Sequence, residues 1–125
     1  MPVFKRVLCP ERLRKVPEQF SWIDQRLVRD RHIAKVSSQA LALYLFLLTV
    51  ADAQGLSYYS DPSISQLLSL DAAALSRARR ELAGAALIAY QRPLYQVLAL
   101  GERRPAQGQP TALSDLLSGI LEKKQ

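Results

Sequence analysis

A run of almost wholly apolar residues, LALYLFLLTVA at 41–51, constrains the fold more than any other feature of this chain. It is bounded by Gln39 and Asp52 and is shorter than the ~20 residues that a membrane span needs. A helix that is apolar on nearly every face must be covered on several sides. We therefore predict a buried helix that is capped by Ser37 or Ser38 and runs to about residue 53, followed by Gly55 in a left-handed conformation.

A strand and two short helices are predicted to follow this buried helix. LSYY at 56–59 favours a short strand. Asp61 is expected to cap the next helix, with Pro62 at its first position, where a missing N–H is harmless. After a turn at 69–70, Asp71 is expected to cap a second helix over about 71–83. Two short helices separated by about three residues make a helix-turn-helix.

The second of these helices is predicted to have two distinct faces. Leu75, Ala78 and Leu82 fall on one stripe at 100° per residue and are expected to face inward. The opposite face is formed by Ala73, Ser76, Arg77 and Arg80. Small side chains allow close approach to a DNA major groove, where arginine reaches guanine edges or phosphates. An ordinary solvated helix face would have a similar composition, so both interpretations stay open here.

A β-hairpin is predicted directly after the helix pair, over about 87–100. ALIAY at 86–90 begins the extended run, Gln91-Arg92-Pro93 supplies a tight turn, and LYQVLAL at 94–100 returns. Pro93 suits a turn or the start of a strand, because it cannot donate a hydrogen bond to the sheet. Arg92 would then lie at the tip, where it can contact phosphate or a minor groove.

Charge is distributed unevenly along the 125 residues, which carry a net charge of +6. Residues 1–36 have a net charge of +5, residues 37–70 contain no basic residue, and residues 71–101 have a net charge of +2. A basic balance favours polyanionic partners, although it does not determine the fold. We interpret residues 1–19 as a basic N-terminal arm, whose cations are Lys5, Arg6, Arg12, Arg14 and Lys15.

Beyond the hairpin, the sequence predicts a linker and one more helix. Residues 101–110 contain two glycines, two prolines and two glutamines, which is typical of a flexible linker, and we assign the linker to 102–110. Residues 111–125 fit an amphipathic helix, with an apolar stripe of Leu113, Leu116, Leu117, Ile120 and Leu121. A helix this short is marginal alone, so it is expected to dock on its own domain, in a homodimer or on a larger protein partner.

Catalytic and metal chemistry are not expected. Cys9 and His32 are the only residues of their types, so neither an internal disulfide nor a Cys/His zinc site can form. No glycine-rich phosphate loop and no nucleophile–histidine–carboxylate set is found, and we expect no enzyme activity, no cofactor and no metal. Cys9 is expected to be partly buried. Without a long apolar stretch at the N-terminus, the expected location is cytoplasmic and nucleoid-associated, with no membrane contact.

An ordered series of short motifs extends from residue 20 to residue 100. The series consists of FSWI at 20–23, YLFL at 44–47, ADAQGLSYY at 51–59, ISQLLSL at 64–70, SRA at 76–78, EL at 81–82 and LI at 87–88. In this order the motifs resemble the winged-helix domains at the N-termini of phage and plasmid replication initiators and related bacterial regulators. The resemblance implies a mainly α winged helix-turn-helix with a small β-hairpin over 20–101, binding DNA through the second helix and the wing. Two positions depart from it: Ala86 stands where the family usually has glycine, and Arg79 where an apolar residue is usual.

The function expected from these observations is binding of double-stranded DNA in replication, transcription control or movement of a mobile element. Ser76, Arg77 and Arg80 would contact the major groove. Arg79, Arg92 and the basic arm would contact the DNA backbone. The alternative is a winged-helix module for protein interaction or dimerisation that bridges a larger complex with little specific DNA contact.

Overall fold

A computed structural model describes residues 4–101 of the chain, and the predicted linker (102–110) and C-terminal helix (111–125) lie outside the described residues. Within 4–101, helices and a small antiparallel sheet alternate along the chain. The helices are α1 (Arg26–Arg29), α2 (Ser38–Val50), α3 (Asp61–Leu68) and α4 (Ala72–Gly84), and the strands are β1 (Leu56–Tyr58), β2 (Ile88–Gln91) and β3 (Leu94–Val97). Short 3-10 turns at Pro10–Arg12 and His32–Lys35 complete the described elements.

Helix α2 supplies the centre of the core. Its start is capped as predicted, because the Ser37 hydroxyl accepts a hydrogen bond from the Ala40 N–H at 3.2 Å. The buried side chains of α2 are Ala40, Leu43, Tyr44 and Leu47. They pack with buried residues of α3, α4 and the sheet in one hydrophobic cluster.

The end of α2 lies at Val50, three residues before the predicted end. Asp52 ends the helix, since its carboxylate accepts the N–H groups of Gln54 at 2.8 Å and Leu56 at 2.9 Å and so folds the backbone into a turn. Gly55 occupies this turn at φ 86°, as predicted. A Cβ at this position would lie 2.7 Å from the Val97 carbonyl oxygen, so the turn also needs glycine for its close approach to β3.

The sheet has three antiparallel strands in the order β1-β3-β2. The predicted hairpin is confirmed, with Ile88 opposite Val97 and Gln91 opposite Leu94. Strand β1, predicted as a short strand, pairs with the edge of β3 that faces away from β2. The chain is therefore a mixed α/β structure, whose sheet is one strand wider than the expected hairpin.

The helix pair α3–α4 forms as predicted, with one correction at its start. Ser60, not Asp61, caps α3: its hydroxyl accepts the Ser63 N–H at 3.2 Å, which places Asp61 inside the first turn. The prediction for α4 is confirmed, because the Asp71 carboxylate accepts the Ala74 N–H at 2.8 Å. Leu70, just before this cap, is buried in the same core as Leu75.

Helix α4 ends in a Schellman motif. The Ala86 N–H donates to the Ala83 carbonyl and the Leu87 N–H donates to the Leu82 carbonyl, each at 3.0 Å. The motif requires a left-handed residue, and Ala86 takes this role at φ 61°. This is the position where the resembled family usually has glycine. Gly84 instead lies inside the last helical turn.

The N-terminal segment runs along the surface before α1. Residues 4–20 are all exposed, and Ser21 contacts α2 through a hydrogen bond from its hydroxyl to the Thr49 carbonyl at 3.3 Å. Cys9 is exposed, so the expectation that it is partly buried was wrong. Among the described residues, no helix has both the length and the apolar character that crossing a membrane requires.

Candidate functional site

Helix α4 presents one continuous surface of small residues and arginines. Its buried side consists of Ala74, Leu75, Ala78 and Leu82, which anchor it in the core. The opposite surface, which we call the α4 face, comprises Ala72, Ala73, Ser76, Arg77, Arg80, Ala83 and Gly84. All of these are exposed except Ser76, which is half-buried. The predicted division of this helix into an inner and an outer side is confirmed.

The two arginines of the α4 face differ in their surroundings. Arg80 donates a hydrogen bond from Nη1 to the Ser76 hydroxyl at 2.8 Å, one helical turn away. This bond restricts the rotamers of a long side chain that would otherwise be mobile. Arg77 is exposed on the same surface. Both guanidinium groups thus extend from a helix surface whose other side chains are no larger than serine.

Arg79 lies away from this face, and its predicted role in contacting the DNA backbone needs correction. Its guanidinium pairs with both carboxylate oxygens of Asp61, at 3.0 and 3.1 Å, and donates to the Tyr95 hydroxyl at 2.6 Å. The Tyr90 ring stacks against it, with 4.4 Å between Cζ and the ring centroid. Only 14% of the side chain is exposed. Arg79 therefore joins α4 to α3 and to the hairpin, and its donors are directed inward.

The electrostatics of this cluster follow from its burial. Burial raises the pKa of the Tyr95 hydroxyl above its ordinary value, although the adjacent Arg79 charge works against the rise. Burial also opposes the charge on Arg79, but hydrogen bonds to Asp61 and Tyr95 outweigh it and raise the pKa of the guanidinium. At neutral pH the cluster therefore contains an uncharged Tyr95 beside a charged Arg79. Its contacts hold α4 against α3 and the hairpin.

Glu81, on the other edge of α4, holds the start of α2. Its carboxylate accepts the Ser37 N–H at 2.6 Å and the Ser37 hydroxyl at 3.1 Å. A carboxylate at a helix N-terminus also interacts favourably with the helix dipole. Sequence reasoning did not assign this role, because Glu81 and Ser37 are 44 residues apart. The two charged residues that flank the α4 face are both bound to other parts of the fold.

The other predicted contact residues lie in separate parts of the structure. Arg92 is exposed in the turn between β2 and β3, at the predicted tip of the hairpin. The five cations of the N-terminal arm, Lys5, Arg6, Arg12, Arg14 and Lys15, are exposed in the extended segment before α1. That segment is anchored at the Thr49 end of α2. The structure therefore groups Ser76, Arg77 and Arg80 on α4, and it joins the arm to the fold through Ser21 at the Thr49 end of α2.

No metal centre is found in the part of the chain that the structure describes, where no three His, Cys, Asp or Glu side chains cluster closely enough to hold an ion. Comparison with protein-family models, curated proteins and solved structures finds no match to this chain.

Proposed function

We propose that this protein binds double-stranded DNA as a winged helix-turn-helix, with α3–α4 as the helix-turn-helix and the β2–β3 hairpin as the wing. The observation that carries the proposal is the composition of the α4 face. It presents two exposed arginines among side chains no larger than serine, while the helix's remaining charged residues, Arg79 and Glu81, are hydrogen-bonded to other parts of the fold. Both charges of the α4 face are therefore positive.

This surface has the properties that reading a major groove requires. The groove is about 12 Å wide and admits an α-helix only when the helix surface is not bulky. Ala72 and Ala73 lie in the first turn of α4, where recognition helices approach base edges most closely. Arginine donates two parallel hydrogen bonds to O6 and N7 of guanine, and Arg80 is partly ordered for this contact by Ser76.

The wing and the arm add contacts that position the protein without reading sequence. Arg92 at the hairpin turn reaches phosphate or a minor groove beside the site, and the basic arm adds further phosphate contacts. Each phosphate that is neutralised releases condensed counterions, so each contact makes the slope of log K against log salt concentration more negative by about 0.9.

Binding-site selection from a random duplex pool tests the proposal. We expect the full-length protein to enrich one motif, and Arg77→Ala with Arg80→Ala to abolish the sequence preference while circular dichroism stays unchanged. Arg29→Ala is the matched control, since it removes an exposed arginine from α1. A double variant that still protects the selected site in footprinting would refute the assignment of α4.

Salt dependence separates the residues that read bases from those that contact phosphate. Arg14→Ala with Lys15→Ala should reduce the magnitude of the slope of log K against log salt concentration by about 0.9 for each lost contact. The selected motif should stay unchanged. Substitution of Arg77 or Arg80 should change the motif itself. An unchanged slope in the arm variant would remove the arm from the interface.

A second candidate function, protein association, is favoured by the apolar side chains of the arm. Phe4 and Leu8 are each 83% exposed, and Val16 is 76% exposed. Exposed apolar residues that are grouped along a segment are typical of interaction sites. Light scattering beside a gel-shift assay at physiological salt distinguishes the two: stable protein assembly without retention of specific DNA would favour this second function.

A further inference from the structure

A groove of about 440 Å³ opens on a side of the protein that contains no residue of α4. Its walls come from the segment before α1, from the C-terminal half of α2 with the turn that follows, and from the chain after β3. The apolar side chains that line these walls include Phe20, Trp22, Leu48, Val97, Leu98 and Leu100. Polar and charged side chains, among them Asp24, Arg26, Asp52 and Gln54, line the groove beside them. This volume is within the range of sites that accommodate a ligand or several side chains of a docked segment.

The aromatic wall of the groove is largely uncovered. Phe20 is 65% exposed and Trp22 is 75% exposed. Aromatic side chains of this size gain the most from burial, because each removes a large apolar area from water. Two of them exposed along one groove leave a large apolar area that a further segment could cover.

The course of the chain indicates which segment this is. Leu98 is fixed by a hydrogen bond from its N–H to the Leu87 carbonyl at 3.0 Å, and Leu100 lines the groove. The described chain therefore ends at Gly101, one residue after the wall of the groove. The nine residues 102–110 reach up to ~30 Å when extended, so the segment beyond them can reach every part of the groove. Such a tether also gives the segment an effective concentration in the millimolar range.

The sequence of that segment has the complementary pattern. Leu113, Leu116, Leu117, Ile120 and Leu121 recur at helical spacing, while Asp115, Ser118 and Glu122 fall on the opposite side. We propose that residues 113–121 dock as an amphipathic helix in the groove of their own chain and cover Phe20 and Trp22. This proposal is independent of DNA binding, because the groove and the α4 face share no residue.

Fluorescence of the full-length protein tests this directly, because Trp22 is the only tryptophan of the chain. Leu117→Asp places a charge on the apolar stripe and should release the segment. We expect a red shift of the Trp22 emission maximum and a larger acrylamide quenching constant than in the wild type. Ser118→Asp is the matched control: it adds the same charge on the polar side and should leave both quantities unchanged.

A second variant and a folding control show whether a change in Trp22 emission comes from release of the segment or from unfolding. Ile120→Asp repeats the substitution one position along the stripe, and far-ultraviolet circular dichroism confirms that each variant stays folded. Wild-type Trp22 that is quenched as readily as in Leu117→Asp would overturn the proposal. Protection that is lost on dilution, together with a fall in mass by light scattering, would also overturn it, because the covering segment would then come from a second copy.

Discussion

Replacing Ala86 with glycine should stabilise the protein. Ala86 is exposed and holds the left-handed position of the Schellman motif at φ 61°. A residue with a Cβ costs roughly 1–2 kcal/mol in this conformation. Glycine removes that cost but loses about 0.5–1 kcal/mol more than alanine in chain entropy on folding. The expected net gain in the free energy of unfolding is therefore about 0.5–1 kcal/mol.

Thermal and urea denaturation measure this gain, and two neighbouring positions supply the controls. The melting temperature of Ala86→Gly should rise by about 2–5 °C for a domain of this size. Ala83→Gly makes the same chemical change in right-handed helix and should destabilise the protein by about 0.5–1 kcal/mol. Gly84→Ala should stabilise it by a similar amount, since a Cβ at Gly84 meets no atom within 4 Å. If Ala86→Gly destabilised the protein as Ala83→Gly does, the left-handed assignment would be wrong.

Two further predictions concern the cluster around Arg79 and the ion pair between Asp24 and Arg26. Arg79→Met keeps the aliphatic stem but leaves the buried Tyr95 hydroxyl without its donor, and should cost about 1–3 kcal/mol in urea denaturation. Arg80→Met should stay within about 0.5 kcal/mol of the wild type, and equal losses in both variants would contradict the structural role of Arg79. Asp24 has its pKa lowered from 3.8 to about 2, mainly by the side-chain hydrogen bond from Arg26. Because the folded pKa lies below the unfolded one, this pair stabilises the fold above about pH 4, and its contribution is lost as pH falls toward 2. Asp24→Asn should flatten that part of the curve of urea midpoint against pH, and an unchanged acid limb would exclude the pair as its source.

Local signals in the sequence predicted most of the fold. Several features depend only on a few neighbouring residues and could be predicted without the rest of the chain. They are the caps at Ser37 and Asp71, the left-handed Gly55 and the hairpin turn. The prediction of the α3–α4 helix pair rested on expected caps at Asp61 and Asp71 and on one apolar stripe, and the Asp71 cap and the stripe are confirmed. Even the error at the start of α3 was a shift of one residue, between Ser60 and Asp61.

Long-range pairings account for what the sequence did not predict. Arg79 lies at the edge of the apolar stripe of α4, so helical periodicity alone allows its head to face either solvent or the fold. Its partners Asp61 and Tyr95 are 18 and 16 residues away, and only the folded chain brings them together. The pairing of β1 with β3 is likewise set by tertiary packing.

The contacts of Arg79 and Glu81, on the two flanks of α4, determine which substitutions the helix can accept without changing its orientation. A slip of one residue would rotate the helix by about 100°. The ion pair on one flank and the Ser37 contact on the other oppose such a rotation. Substitutions on the α4 face can then change its exposed side chains while the orientation of the helix stays the same. The residues that hold α4 in place are thus separate from the exposed residues of the α4 face.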